Sequence, residues 1–196
     1  MIGRLRHTGS MTDGDPTLTA KLVRKIPDGD THEREVCVHC GFVNYENPKI
    51  VVGSVCSWGE RILMCRRAIN PRKGHWTLPA GYLELHETPE SGAAREAGEE
   101  AGARIEIDTL LAVYTIPRLS QVQLIYRARL SDDRIAAGPE SQAVELFAFE
   151  DIPWDDLAFP SVRWALHHFA QSRGQHGFPP FTNPPGETGN LEVGGL

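Results

Sequence analysis

The sequence predicts an α/β fold, and three features predict it. Two strongly β-forming runs, 50–58 and 61–67, are joined by Gly59-Glu60, a two-residue hairpin connection. A small-residue helix follows at 89–101. Further strand patterns at 104–116, 121–130 and 143–150 then lead to a last amphipathic helix at 162–171.

The first helix has the clearest boundaries. Thr88 suits the N-cap and Pro89 the first helical position. Gly102 suits the C-terminal stop. Ala93, Ala94, Ala97 and Ala101 give a small apolar face that allows close packing on a sheet. The opposite side breaks the rules of a stable helix. Glu96 stands over Glu99 and Glu100, and like charges at that spacing are unfavourable by a few tenths of a kcal/mol per pair. Gly92 and Gly98 each cost roughly 1 kcal/mol relative to Ala. A local rule broken without visible compensation points to function. Converging carboxylates at a loop–helix junction suit a hard, oxygen-seeking cation, Mg²⁺ or Mn²⁺.

Along the rest of the chain, residues 1–34 form a flexible N-terminal segment, with a hairpin signal at Asp28-Gly29. Residues 35–48 hold a knuckle, Cys37-Val38-His39-Cys40-Gly41. A closed zinc site needs four ligands. His32 would add a third and no fourth is evident, which leaves either bound zinc or a remnant knuckle that keeps only its turn. Cys56 and Cys65 fall inside strands and suit buried apolar positions. Residues 49–173 make the main domain, with Ser161 as the cap of the last helix. Residues 174–196, rich in Gly, Pro and Asn, read as a flexible tail or an arm laid on a partner.

Bulk properties narrow the function. The 196 residues suffice for one domain with a sizeable core. Lys+Arg 20 against Asp+Glu 26 gives a net charge of −6, which argues against a nucleic-acid-binding body. No apolar run is long enough to span a membrane, and the first residues lack the apolar core of a signal peptide. Four irregularly spaced cysteines suit a reducing, cytoplasmic setting rather than a disulfide scaffold.

The stretch from Gly81 through Glu87 and Arg95-Glu96-Ala97-Gly98-Glu99-Glu100-Ala101-Gly102-Ala103 resembles the Nudix hydrolase signature at every specified position. Cys-x2-Cys-Gly, Tyr45-x-Asn47-Pro48-Lys49, Leu78-Pro79-Ala80-Gly81 and Gly138-Pro139-Glu140-Ser141 extend the likeness to the branch that cleaves FAD and ADP-ribose. Some members of that branch carry a complete zinc ribbon in front, whereas here the first half of the ribbon is absent.

The resemblance implies an α/β/α sandwich with a mixed sheet. It implies Mg²⁺- or Mn²⁺-dependent hydrolysis of a nucleotide pyrophosphate bond. By carry-over, Glu96 and Glu100, then Glu99 and the carbonyl of Ala80, hold metal. Glu99 and Glu140 are the catalytic candidates, Glu140 as a further metal ligand or the general base, with Glu145 as its runner-up. Glu87 and Arg95 brace the loop, and Gly81 and Gly102 shape it. Arg66 or Arg67 would hold phosphate. The partner is a small nucleotide, with a homodimer compatible with the family. Two rival readings stand beside this one: a nucleoside triphosphate sanitiser, and a non-catalytic nucleotide-sensing or nucleic-acid-binding module.

Overall fold

The computed structural model describes residues 21–190. The first twenty residues of the expected N-terminal segment and the last six of the expected tail lie outside the described residues. The chain divides between Asn47 and Pro48.

In the N-terminal unit, β1 (Leu22–Lys25) pairs antiparallel with β2 (Arg34–Cys37), and β3 (Val43–Asn44) pairs with the other edge of β2. A turn at Pro27–Asp30 joins the first two strands; Gly29 adopts φ 83° and the Asp30 N–H donates to the Pro27 carbonyl at 3.0 Å. Residues 21–34, expected to be flexible, therefore contribute a paired strand, because the Asp28-Gly29 turn lets the flanking backbones meet. The knuckle is the second hairpin. The Gly41 N–H donates to the Cys37 carbonyl at 3.0 Å, and the Cys37 N–H to Phe42 at 2.8 Å.

The second unit is built on a mixed sheet. Its strands are β4 (Lys49–Trp58), β5 (Arg61–Arg67), β8 (Ile105–Ile116), β9 (Gln121–Leu130) and β10 (Ser141–Ala148), in the order β10-β5-β4-β9-β8. Strand β4 runs parallel to β9, and the other pairs are antiparallel. Strands β4 and β5 pair only beside their turn, at Ser57↔Ile62 and Trp58↔Arg61. Beyond it two short strands take over: β6 (Trp76–Thr77) on β5 and β7 (Ala80–Tyr82) on β4. That split carries Ala80 and Gly81 onto the sheet.

Helices cover both faces. Helix α1 (Pro89–Ala101) has the expected ends: Thr88 Oγ1 accepts from the Ser91 N–H, and Gly102 is left-handed. Ala93, Ala97 and Ala101 are fully buried against the sheet. Helix α2 (Pro160–Gln171) buries Val162, Trp164, Leu166 and Phe169 on the other face. Period-two alternation sorts the strands between the two layers. In β5, Leu63 and Cys65 join the α1 core, whereas Ile62 and Met64 join the α2 core. Cys56 and Cys65 are buried as expected.

Three further expectations differ from the structure. The N-cap of α2 is Phe159, with Pro160 at the first helical position, so Ser161 sits inside the helix and caps nothing. Strand β10 ends at Ala148, and Phe149–Asp151 form a 3₁₀ turn. The residues after Gly174 do not run free. The Phe181 N–H donates to Leu111 O and its carbonyl accepts from the Val113 N–H, both at 2.9 Å. Strand β8 is a sheet edge with unpaired backbone groups, and this segment satisfies some of them. Among the described residues no helix is long and apolar enough to cross a membrane.

Candidate active site

Arg95 is the hub of the loop–helix junction. Its Nε and Nη2 grip both oxygens of Glu87, at 3.1 and 2.8 Å. Nη2 also donates to the Tyr82 carbonyl at 3.0 Å. Nη1 bridges Glu96 Oε1 at 2.7 Å and Glu99 Oε2 at 2.9 Å. A bidentate guanidinium–carboxylate pair fixes direction as well as distance. Glu87 in turn accepts the Glu84 N–H at 2.7 Å. The Arg95 hydrogen bonds, then that N–H, hold the Glu87 carboxyl below its ordinary range.

The glycines explain how the parts approach. A methyl on Gly81 would overlap the Glu96 carboxylate, so Glu96 lies directly on the β7 backbone. A methyl on Gly92 would sit 2.8 Å from Glu87 Oε1 and 2.9 Å from Val52 Cγ2. Gly98 has no such neighbour: its nearest would be Ala103 O at 3.9 Å. One of the two helix glycines is thus required by packing and the other is not.

Glu96 and Glu100 are both buried residues. Burial raises the Glu96 carboxyl, against the pull of Arg95. Burial also pushes Glu100 up to about 8, opposed by the Ala80 N–H (3.3 Å to Oε2) and by Arg67, and reinforced by Glu96 and Glu140. Glu140 therefore acts on the same charge cluster. Its loop is docked on the end of α1: the Gly138 N–H donates to Glu100 O at 3.0 Å, and Ala136 to Ala101 O at 2.8 Å. Gly138 must be a glycine there, since a methyl would overlap the Glu99 carbonyl oxygen. In the sequence Gly138 stands only as part of the Gly138-Pro139-Glu140-Ser141 likeness, with no role of its own. The available signal was a Gly-Pro pair just before the candidate Glu140.

These residues line a cavity of about 800 Å³. Ala80, Gly81, Arg95, Glu96, Glu99, Glu100, Glu140 and Arg67 all face it. Arg66 does not. Successive strand residues point to opposite faces, and Arg66 turns away to donate to Gly74 O at 2.7 Å. Arg67 donates to Pro71 O at 2.8 Å and lies over the Phe159 ring. Glu145 is exposed on β10 and is not among the residues that line the cavity. Trp76 packs in the core against Phe147. His168 is hydrogen-bonded to the buried Tyr114 hydroxyl at 2.6 Å.

The cavity wall carries five glutamates against two arginines. All the anionic donors are oxygens, and the excess of negative charge would repel a pyrophosphate. That donor set fits a hard divalent cation. Among the described residues no three His, Cys, Asp or Glu side chains are already drawn around one point. Glu96 and Glu99 are both paired with Arg95 Nη1. In the N-terminal unit the backbone N–H groups of Cys40 and His39 lower the Cys37 thiol, as in a metal knuckle. Cys40 is exposed, and no third and fourth ligands join the pair among the described residues.

Fold and site together define a Nudix protein. The NUDIX domain family model matches residues 47–169, and the Nudix N-terminal zinc-ribbon model matches 19–46. The chain belongs to the Nudix hydrolase family.

Particular relatives narrow the company it keeps. The crystal structure of a NUDIX hydrolase from Nitrosomonas europaea is 42% identical, covers 86% of this chain and 97% of its own, and superposes with a TM-score of 0.80. A MutT-like protein of Streptomyces ambofaciens is 41% identical over 52% of this chain and 64% of its own length. An ADP-ribose pyrophosphatase of Methanocaldococcus jannaschii is 30% identical over 59% of this chain and 69% of its own.

Proposed function

We propose that this protein hydrolyses the pyrophosphate bond of a nucleoside diphosphate joined to a second group, such as ADP-ribose or FAD. The observation that carries this reading is a single cavity in which an acid-rich wall adjoins an apolar one. The acidic part suits a cation-neutralised pyrophosphate, and the apolar part suits a ring system. The similarity to the Methanocaldococcus ADP-ribose pyrophosphatase supports the same substrate class.

Glu96 and Glu100, with Glu99 and the Ala80 carbonyl, would hold Mg²⁺ or Mn²⁺. Bound there, the cation offsets the charge that gathers on the phosphoryl oxygens and makes a neighbouring water more acidic. Glu140 takes a proton from the attacking water. The water oxygen bonds to one phosphorus as the bridging P–O bond breaks, leaving two monophosphate-bearing products. Arg67 binds a phosphoryl oxygen. Arg95 positions Glu96 and Glu99, and Glu87 positions Arg95. The four cysteines, all free thiols, suit a reducing cytoplasm.

A substrate panel with Mg²⁺ and Mn²⁺, its products resolved by chromatography, tests the reading. AMP plus a second phosphorylated product from a dinucleotide is the expected result. Pyrophosphate released from a nucleoside triphosphate as the dominant reaction would replace it with the sanitiser reading. Tight nucleotide binding without turnover would leave a sensor.

A further inference from the structure

We propose that the segment Phe178–Asn190 closes one side of the substrate cavity through Gly189 and so sets which second half of a dinucleotide the protein accepts; the inference rests on the substrate class proposed above. The segment is bound along the edge of β8 by successive anchors. Phe181 exchanges backbone hydrogen bonds with Leu111 and Val113, and its ring stacks on His168 at 4.4 Å and 6°. The Asn183 side chain accepts the Thr115 N–H at 2.9 Å and donates to the Thr115 carbonyl at 2.8 Å. Asn183 thus substitutes for a pairing strand residue. Asn190 Oδ1 accepts from Arg118 Nε at 3.2 Å. A run rich in Gly and Pro with no regular structure is held in one path by these contacts.

Where that path ends matters. Gly189 lines the cavity. It has φ 72°, and a methyl on it would overlap Ile116 Cδ1 and sit 3.3 Å from Trp164 Cη2. No gap separates the segment from the wall it covers. The apolar lining of the cavity also includes Ile116, Leu119, Ile125, Phe159 and Val162. A lining of this kind accepts a flat, uncharged ring and rejects an extra charged group. Because Gly189 is the segment's own contribution, loosening the segment widens the cavity on its apolar side and leaves the carboxylates untouched. A bulky tricyclic group then gains relative to a compact sugar.

Two full-chain variants test this. Asn183→Ala combined with Arg118→Ala removes exposed anchors outside the cavity. Gly189→Ala forces the segment off Ile116. Cooperative thermal unfolding of each establishes that it folds. The readouts are the kcat/KM ratio of FAD to ADP-ribose, and the ratio of their dissociation constants by calorimetry with Mg²⁺ on a Glu140→Gln background, which keeps the proposed cation ligands and removes the proposed base.

The expected result is a change of about tenfold in both ratios toward FAD, the scale on which pocket shape discriminates apolar groups. Unchanged ratios in both folded variants overturn the proposal. Should the parent hydrolyse neither compound, the binding ratio measured with Mg²⁺ still decides the role of this segment. The missing turnover then counts against the hydrolytic reading alone.

Discussion

Gly138 rests on the last turn of α1, its N–H donating to the carbonyl of Glu100 at 3.0 Å. A methyl group in its place would overlap the neighbouring Glu99 carbonyl. Backbone cannot step aside as a side chain can. Gly138→Ala should therefore cost about 1–3 kcal/mol by overpacking, and it should lift the loop that carries Glu140. Urea unfolding with parallel kinetics measures both. Parent-like stability together with parent-like turnover would mean that the loop can leave α1 without consequence.

Gly92 and Gly98 lie in one helix and should respond with opposite signs. Gly98 has open space around it, so Gly98→Ala should raise stability by about 0.8–1 kcal/mol through helix propensity alone. Gly92→Ala must displace Glu87 or Val52 and should lower stability despite the same propensity gain. A pair of denaturant titrations decides the matter, and equal shifts in one direction would refute the packing argument.

Replacing a carboxylate probes the charge cluster directly. Glu100→Gln keeps the size and the Ala80 contact but removes the charge, so turnover should fall by orders of magnitude while the melting curve stays cooperative. Divalent cations should raise the melting temperature of the parent, since binding to the native state alone stabilises it. That rise should shrink in the variant. Equal cation-induced shifts in the two proteins would remove Glu100 from the ligand set.

Arg95 offers a different kind of test. Lys keeps the positive charge but cannot reach Glu87, Glu96, Glu99 and the Tyr82 carbonyl at once. Arg95→Lys should lower kcat at least tenfold, with a smaller effect on KM, because it misplaces groups rather than removing them. A variant with parent kinetics would show that charge alone suffices at this position.

His168 gives a pH dependence. Burial lowers it from the ordinary value of 6.5, with His167 adding to the effect. The unfolded chain therefore takes up this proton at a higher pH than the folded one does. The penalty is absent above pH 6.5 and grows as pH falls from there toward the lower folded value. His168→Gln should lose less stability than the parent over that interval, as read from melting temperatures in a pH series. Parallel curves for the two proteins would contradict the assignment.

The parts visible in the sequence were those fixed by local chemistry. Thr88, Pro89 and Gly102 bound α1 because capping depends on a few adjacent residues. The carboxylates of α1 were visible through their spacing. Arg66 and Arg67 could not be separated before β5 had a register and a face. The packing role of Gly138 was not legible because its need for a bare Cα comes from a helix some forty positions earlier. The path of Phe178–Asn190 was hidden for a related reason: at Phe181 and Asn183 its partners are backbone groups of β8, and backbone groups leave no mark on composition. Ser161 misled because a good capping residue lay one place beyond Pro160, which starts the helix.

The parallel pairing of β4 with β9 has a kinetic consequence. Lys49 meets Gln121 and Ser57 meets Arg129, while α1 and β8 lie in the chain between the two strands. That closure is non-local and entropically costly, so it belongs to the slow part of folding. Strand β7, which carries Ala80 and Gly81, depends on β4 for its place. During synthesis the acidic cluster therefore cannot reach its final geometry before β9 has emerged. A nascent or truncated chain would carry the whole signature helix and still be catalytically silent.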